Sequence, residues 1–307
     1  MDGFFNTLDD LTRRLWHRYL NLRSDISDKI MRYKVLPILS DLRDPVYLNG
    51  DNDFKRFKKR LNPRHNYNYD AYSVWERGSN RADFMMNVMP SLCIPGKRVL
   101  EAGCGDGMTG AVLSHFGHQV SLVDIEDWRD PRAKELDFFN IDMCKKIPFS
   151  NDTFDMIFSF NTFEHILNPE KALYNLINTC KTGGLIYLDF GPLYWSPWGL
   201  HAHRTINVPY LHLLFPIDFI KDKLAEIGIN DLGQERNELQ HVNKWTVRNY
   251  ESLFEKCGCK IEEFKKIPNK NFLNIPQEFP QAFRGRGLTY EDITTQAFRV
   301  ILRKVNI

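Results

Sequence analysis

Three glycines at alternate positions, in Val99-Leu-Glu-Ala-Gly-Cys-Gly-Asp-Gly107, separate a strand-like run from a helix-like one. Glycine there lets the backbone turn sharply and approach a ligand where a Cβ would collide. Glu101 stands just ahead of the loop, and Asp124 follows Gly103 by 21 residues at the end of the next apolar run. A carboxylate at that second station takes up ribose hydroxyls in nucleotide-binding α/β folds. Glu101 and Asp106 beside the loop would repel a pyrophosphate and tolerate a sulfonium or an ammonium. As a dinucleotide fingerprint, Gly105-x-Gly107-x-x-Gly110 is out of register, because the strand ends near Ala102 and Gly110 falls inside the helix. Starting instead at Gly103 puts Met108 where the third glycine is required.

Every position fits the E/D-x-G-x-G-x-G loop of class I S-adenosylmethionine-dependent methyltransferases, and the chain resembles that family, in particular the broad subgroup acting on small molecules and glycans. Asn140-Ile-Asp142-Met143, then Pro148-Phe149, then Phe154-Asp155 opening a fourth strand, continue the resemblance. It is strong over about 81–190, holds by topology over 246–267 and 295–305, and leaves out the first 80 residues. It implies S-adenosyl-L-methionine as cofactor. Glu101 would hold the loop and the methionine ammonium, with Gly103, Cys104, Gly105 and Gly107 passing under the cofactor. Asp124 and Ile125 would meet the ribose, Asp142 and Met143 the adenine, and Asn161 would stand beside the cofactor after the fourth strand.

Methyl transfer is an in-line displacement needing an aligned acceptor and, for a hydroxyl, one general base. The acceptor-facing stretch is Ser159-Phe-Asn-Thr-Phe-Glu-His165. It lacks the Asn/Asp-Pro-Pro-aromatic tetrapeptide of nucleic-acid amino-methyltransferases, and the paired-glutamate hairpin of arginine methyltransferases is absent too. The candidate catalytic residues are His165, His201 and Glu164. Ubiquinone-pathway and small-RNA 2′-O-methyltransferases bind a divalent metal with a similar Glu-x-x-Glu-His. Here the first carboxylate is replaced by Asn161, leaving Glu164, His165 and His201 as a candidate metal set. A polar pocket with His165 or His201 as base is the favoured alternative, with no metal. The segment 191–204 is dense in aromatics and histidines. It reads either as a packed insertion anchored by Trp195 and Trp198 or as an acceptor lid, in which Tyr194, Trp198, His203 and Arg204 bind substrate. Arg204, Arg284 and Arg286 could meet a phosphate or carboxylate.

The elements that must position these residues alternate strand and helix from Lys97 onward. That pattern predicts an α/β fold: a Rossmann-like sheet, mostly parallel with the last strand antiparallel, flanked by helices and preceded by an N-terminal helical extension. The expected domains are a helical and basic extension over 1–80 and a methyltransferase domain over 81–307, with acceptor-side insertions at 191–245 and 268–294. Phe4, Leu8, Leu11, Leu15, Tyr19 and Leu22 recur at helical spacing. The basic run Lys55–Arg60, beside Arg64, Tyr67, Tyr69 and Tyr72, reads as a solvated helix face. The alternatives are a grip on single-stranded RNA or on a membrane surface.

Among 307 residues, 41 basic and 39 acidic side chains nearly cancel, which removes the usual footprint of a dedicated nucleic-acid binder. The six cysteines are too scattered for a disulfide-stapled module, and Cys257-x-Cys259 lacks a second ligand pair for zinc. No signal peptide or spanning segment is read, so the expected location is the cytoplasm. The expected activity is O-methylation of a small molecule or a sugar or glycan component. The alternatives are RNA 2′-O-methylation and a non-catalytic cofactor-binding scaffold. Expected partners are that acceptor and, through the extension, a peripheral membrane contact; nucleic acid is not expected.

Overall fold

The structure, a computed structural model, describes residues 26–59, 69–231, 234–236 and 238–306. The pattern from Phe4 to Leu22, and Arg60, Arg64 and Tyr67 of the basic stretch, lie outside the described residues. The chain divides into two compact units, Met1–Leu48 with Lys270–Tyr290, and Asn49–Asn269 with Glu291–Ile307.

In the smaller unit helix α1 covers 26–39. Its Asp28 accepts a hydrogen bond from the Tyr290 hydroxyl (2.6 Å) and pairs with Lys270 (2.8 Å). The 41–46 segment is tied to the later insertion through Val46 N–H to the Gln281 carbonyl (2.8 Å) and Gly285 N–H to the Asp41 carbonyl (2.7 Å). Arg284 and Arg286, raised as anion ligands, donate to the backbone carbonyls of Asp44 and Ala282.

The larger unit opens with α2 (Gly50–Lys59) and α3 (Ala71–Val88). Phe54 and Phe57 are buried while Lys55 and Arg56 are exposed, so these two basic residues lie on the outer face of a packed helix. Residue 80, the expected domain boundary, falls inside α3. The apolar run within 82–89 predicts a helix from Arg81, and α3 starts ten residues earlier. Asp70 caps it, accepting from Tyr72 and Ser73 N–H, and Gly78 brings it within 2.5 Å (to an added Cβ) of Met108 Cγ.

There follow β1 (Arg98–Ala102), α4 (Met108–His115), β2 (Gln119–Asp124), β3 (Asp137–Asn140), β4 (Phe154–Phe160), α5 (Pro169–Thr179) and β5 (Cys180–Phe190). Beyond them come α6 (Ile217–Ile227), a hairpin of β6 (Ile229–Asp231) and β7 (Gln234–Arg236), α7 (Val247–Lys256), β8 (Cys259–Pro268) and β9 (Thr295–Lys304). The seven-stranded sheet runs β3-β2-β1-β4-β5-β9-β8. The pairs among β1 to β5 are parallel, and β9 is antiparallel to both β5 and β8, as the sequence predicts. Strands buried on both faces read as near-continuous apolar runs, which is why Val99-Leu100 and Phe154 to Phe160 were legible. The Gly183-Gly184 pair predicts a break before the strand, but β5 begins at Cys180, paired with Phe154, and absorbs the left-handed Gly183. Among the described residues no helix is long and apolar enough to cross a membrane.

Candidate active site

The loop at the end of β1 is built on two buried acids. Glu101, 3% exposed, accepts from Gly110 N–H at 2.9 Å, and a Cβ on Gly110 would come within 2.7 Å of that carboxylate oxygen. Gly110 is therefore a packing glycine that lets α4 sit on β1. Burial holds the Glu101 carboxyl well above its usual range, and nearby Asp106 adds to the effect. Asp124 accepts from Gly105 N–H (2.8 Å) and from Ile125 N–H (2.7 Å), and burial raises its carboxyl too.

Gly103, Gly105 and Gly107 all take positive φ, at 74°, 51° and 67°. They differ in what a side chain would meet. A Cβ on Gly103 would overlap the Thr162 side chain, whereas one on Gly105 meets nothing within 4 Å. Gly105 thus leaves open the side where a ligand would lie. Asp106, just ahead of α4, accepts from Met108 N–H (3.0 Å) and pairs with Arg77 at 2.7 Å. With Glu101 and Asp124 alongside, carboxyl oxygens crowd the loop, an arrangement that disfavours a pyrophosphate. Cys104 is buried, which pushes its thiol up, and Ile125 is exposed. Asp142 closes a turn by accepting from Cys144 N–H (2.8 Å), and Met143 is buried in the main core.

A cavity of about 510 Å³ opens between α3 and the strand ends. Ser73, Glu76, Arg77, Asn80, Arg81 and Phe84 line it from α3, with Phe160, Asn161, Asp189 and Arg299 opposite. Asn161 is left-handed (φ 49°) and donates its N–H to the Asp189 carbonyl at 2.8 Å. The Asp189 carboxylate accepts from the Tyr187 hydroxyl (3.0 Å) and pairs with Arg299 (2.9 Å). Of these lining residues only Asn161 was named from sequence.

Three residues beyond Asn161, Glu164 is 1% exposed. Its Oε1 accepts from Gly191 N–H at 3.1 Å, and its Oε2 has no hydrogen-bond partner. Burial pushes its carboxyl up to about 8. His165 is oriented by a 2.6 Å contact of Nδ1 to the His241 carbonyl and His201 by a 2.8 Å contact of Nε2 to the Pro192 carbonyl. Their rings lie 4.7 Å apart, edge to face, and His165 Nε2 is 4.0 Å from Glu164 Oε1. One ligand atom from each of Glu164, His165 and His201 falls within 4.8 Å of the others. Burial, and then the neighbouring His165, hold the His201 imidazole well below its usual range.

Tyr194, Trp198, His203 and Arg204 do not line the 510 Å³ cavity, and neither do Glu164, His165 and His201, which follow its Asn161 along the chain. Trp198 is 5% exposed with His203 at 5.8 Å, and the two share a void of about 10 Å³, too small for a ligand. Tyr194 packs edge to face on Trp195 at 4.8 Å and lies 4.5 Å from the His212 ring.

The methyltransferase-domain family profile matches residues 77–263. The chain is 26% identical over 121 residues to the mitochondrial ubiquinone biosynthesis O-methyltransferase of Schizosaccharomyces pombe, covering 36% of this chain and 44% of that one. Over 221 residues it is 23% identical to phosphoethanolamine N-methyltransferase 2 of Caenorhabditis elegans, covering 61% and 49%. The chain spans about half the length of the curated relatives it matches. A solved SAM-dependent methyltransferase of Methanosarcina mazei aligns with TM-score 0.45 and 18% identity, over 72% of this chain and 98% of that one.

Proposed function

The chain belongs to the class I S-adenosylmethionine-dependent methyltransferases, and from that premise we propose that it methylates a hydroxyl of a small molecule or of a sugar or glycan component. The observation that carries this reading is the cavity at Asn161, whose volume of about 510 Å³ falls in the range of small-ligand sites. When bound, S-adenosyl-L-methionine supplies an electrophilic methyl on a sulfonium. Gly103, Cys104, Gly105 and Gly107 would form the floor of its site, Glu101 would hold its ammonium, and Asp124 with Ile125 its ribose. Asp142 and Met143 would hold the adenine end, and Asn161 would stand between cofactor and acceptor.

The acceptor hydroxyl needs a base. Glu164 keeps its proton up to about pH 8 and orients rather than deprotonates at neutrality. His201, which burial keeps neutral, would take the proton as a weak base, with His165 beside it. Incubation with methyl-labelled cofactor and a panel of hydroxylated small molecules tests the reading. Labelled ether products are expected from the wild type and not from Gly105→Val, whose side chain fills the open side of the loop. Label appearing only on amines would replace O-methylation with N-methylation.

A second reading rests on the unpartnered Glu164 Oε2 among two oriented imidazoles. Such a set fits a divalent metal, with backbone carbonyls fixing the rings as outer-shell partners do. Elemental analysis of the purified protein, against Glu164→Gln, decides between a metal and a metal-free polar pocket. The six free cysteines suit a reducing compartment such as the cytoplasm. A peripheral membrane contact is supported by the exposed Ile26, Ile30 and Tyr33 at helical spacing along α1.

A further inference from the structure

On the cavity wall opposite α3 stands a carboxylate with one oxygen saturated and the other open. Asp189 Oδ2 accepts from the Tyr187 hydroxyl (3.0 Å), from Arg299 Nε (2.9 Å) and from Arg299 Nη2 (2.9 Å). Among the described residues Asp189 Oδ1 takes no hydrogen bond and Arg299 Nη1 gives none, and both atoms remain accessible. Three donors on one oxygen fix the carboxylate, and the antiparallel register that sets Asp189 of β5 against Arg299 of β9 fixes the guanidinium beside it. An acceptor atom and a donor group are thus held side by side in the wall of the cavity.

The aromatic side chains of the same cavity are engaged within the protein. Phe84 carries the Arg299 guanidinium at 4.2 Å and packs on Tyr187 at 6.3 Å, while Phe160 carries that of Arg81 at 4.6 Å and packs on Tyr187 at 5.3 Å. The lining therefore offers hydrogen-bonding edges in place of a bare ring face on which a phenol would stack. A fixed acceptor beside a fixed donor matches two hydroxyls on adjacent carbons, one donating and one accepting, and the charge on each protein group strengthens its bond. We propose that Asp189 and Arg299 select a vicinal diol, the recurring unit of a sugar ring, as the methyl acceptor. One hydroxyl donates to Asp189 Oδ1 and its neighbour accepts from Arg299. The inference rests on the cavity being the acceptor site of the hydroxyl methylation proposed above.

The test is transfer of labelled methyl by the full chain to methyl glycosides of common hexoses and pentoses, to phenol and 4-hydroxybenzoate, and to ethanolamine. The methylated carbon is read from the product, and the glycoside lacking the neighbouring hydroxyl is then assayed. Label is expected on glycosides. Removing the neighbouring hydroxyl should lower kcat/KM about thirtyfold or more in the wild type and less than about threefold in Asp189→Asn. S-adenosylhomocysteine binding should stay within about twofold in the variant. Arg299→Lys, which keeps the charge and loses the planar fork, carries the same comparison if Asp189→Asn does not fold. Parallel losses on the parent and deoxy glycosides make the pair structural and overturn the inference. Label only on phenol or 4-hydroxybenzoate overturns the diol and spares O-methylation. Label only on ethanolamine, or on none of the panel, overturns both.

Discussion

Replacing Glu164 by Gln should flatten the pH dependence of stability over a defined window. The residue is 1% exposed, one carboxylate oxygen accepts from Gly191 N–H, and the other has no partner. Burial pushes the carboxyl up to about 8 from the ordinary 4.5. In the unfolded chain the group ionises above 4.5, whereas in the native state it keeps its proton until about 8. Between those values the native state binds the extra proton, so its contribution is complete below pH 4.5 and is lost as pH rises through 8. A displacement of this size corresponds to about 5 kcal/mol between the protonation states, of which about 3 kcal/mol is gone by pH 7. Gln cannot ionise and keeps the oxygen that Gly191 uses. Urea unfolding of both proteins from about pH 5 to 9, with chelator present, reads the difference. The variant should gain on the wild type by about 1.4 kcal/mol per pH unit and level off above pH 8. Glu101 and Asp124, also raised by burial, titrate in both proteins and drop out of the comparison. Parallel profiles from pH 5 to 8 would refute the claim that this carboxyl is buried without a compensating charge.

The two loop glycines should respond differently to one methyl group. Gly103→Ala is strained at φ 74° and overlaps Thr162, so it should destabilise by about 2 kcal/mol or more in urea. Gly105→Ala, strained at φ 51° but with nothing within 4 Å, should cost about 1 kcal/mol in stability while weakening S-adenosylhomocysteine binding in calorimetry. Equal stability losses would argue against the open side at Gly105. With His201 as base, its lowered imidazole keeps the base form into acid, so the acid limb of kcat/KM against pH should fall well below 6.5 and vanish in His201→Gln. A limb at or above 6.5 would assign the base elsewhere.

What was legible in the sequence is what depends on neighbours along the chain. The β1 loop, Asp124 and the Glu164-His165 pair each sit at a strand end, where apolar burial on both faces and glycine spacing mark the position locally. His201 could be joined to them because it follows β5 on the same end of a parallel sheet. The cavity wall had no such signal. In α3 the run Gly78-Ser79-Asn80 interrupts any apolar stripe and carries poor helix formers, so periodicity starts the helix at Arg81. What holds the first half helical is the Asp70 cap and the close approach of Gly78 to Met108, a contact made across 30 residues. A Gly between polar residues reads as a loop until its partner is known. Asp189 and Arg299 are separated by 110 residues and meet only through the antiparallel register of β5 and β9. The aromatic density of 191–204 shows the opposite failure. Trp and His at close spacing serve packing and recognition equally well, and here the Trp198 and His203 rings lie against each other and do not line the large cavity. The residues at the ends of β1, β2 and β4 are thus fixed by local backbone geometry. The residues of the cavity wall, Asp189 and Arg299 among them, are fixed by tertiary packing, and that is why the sequence was silent about them.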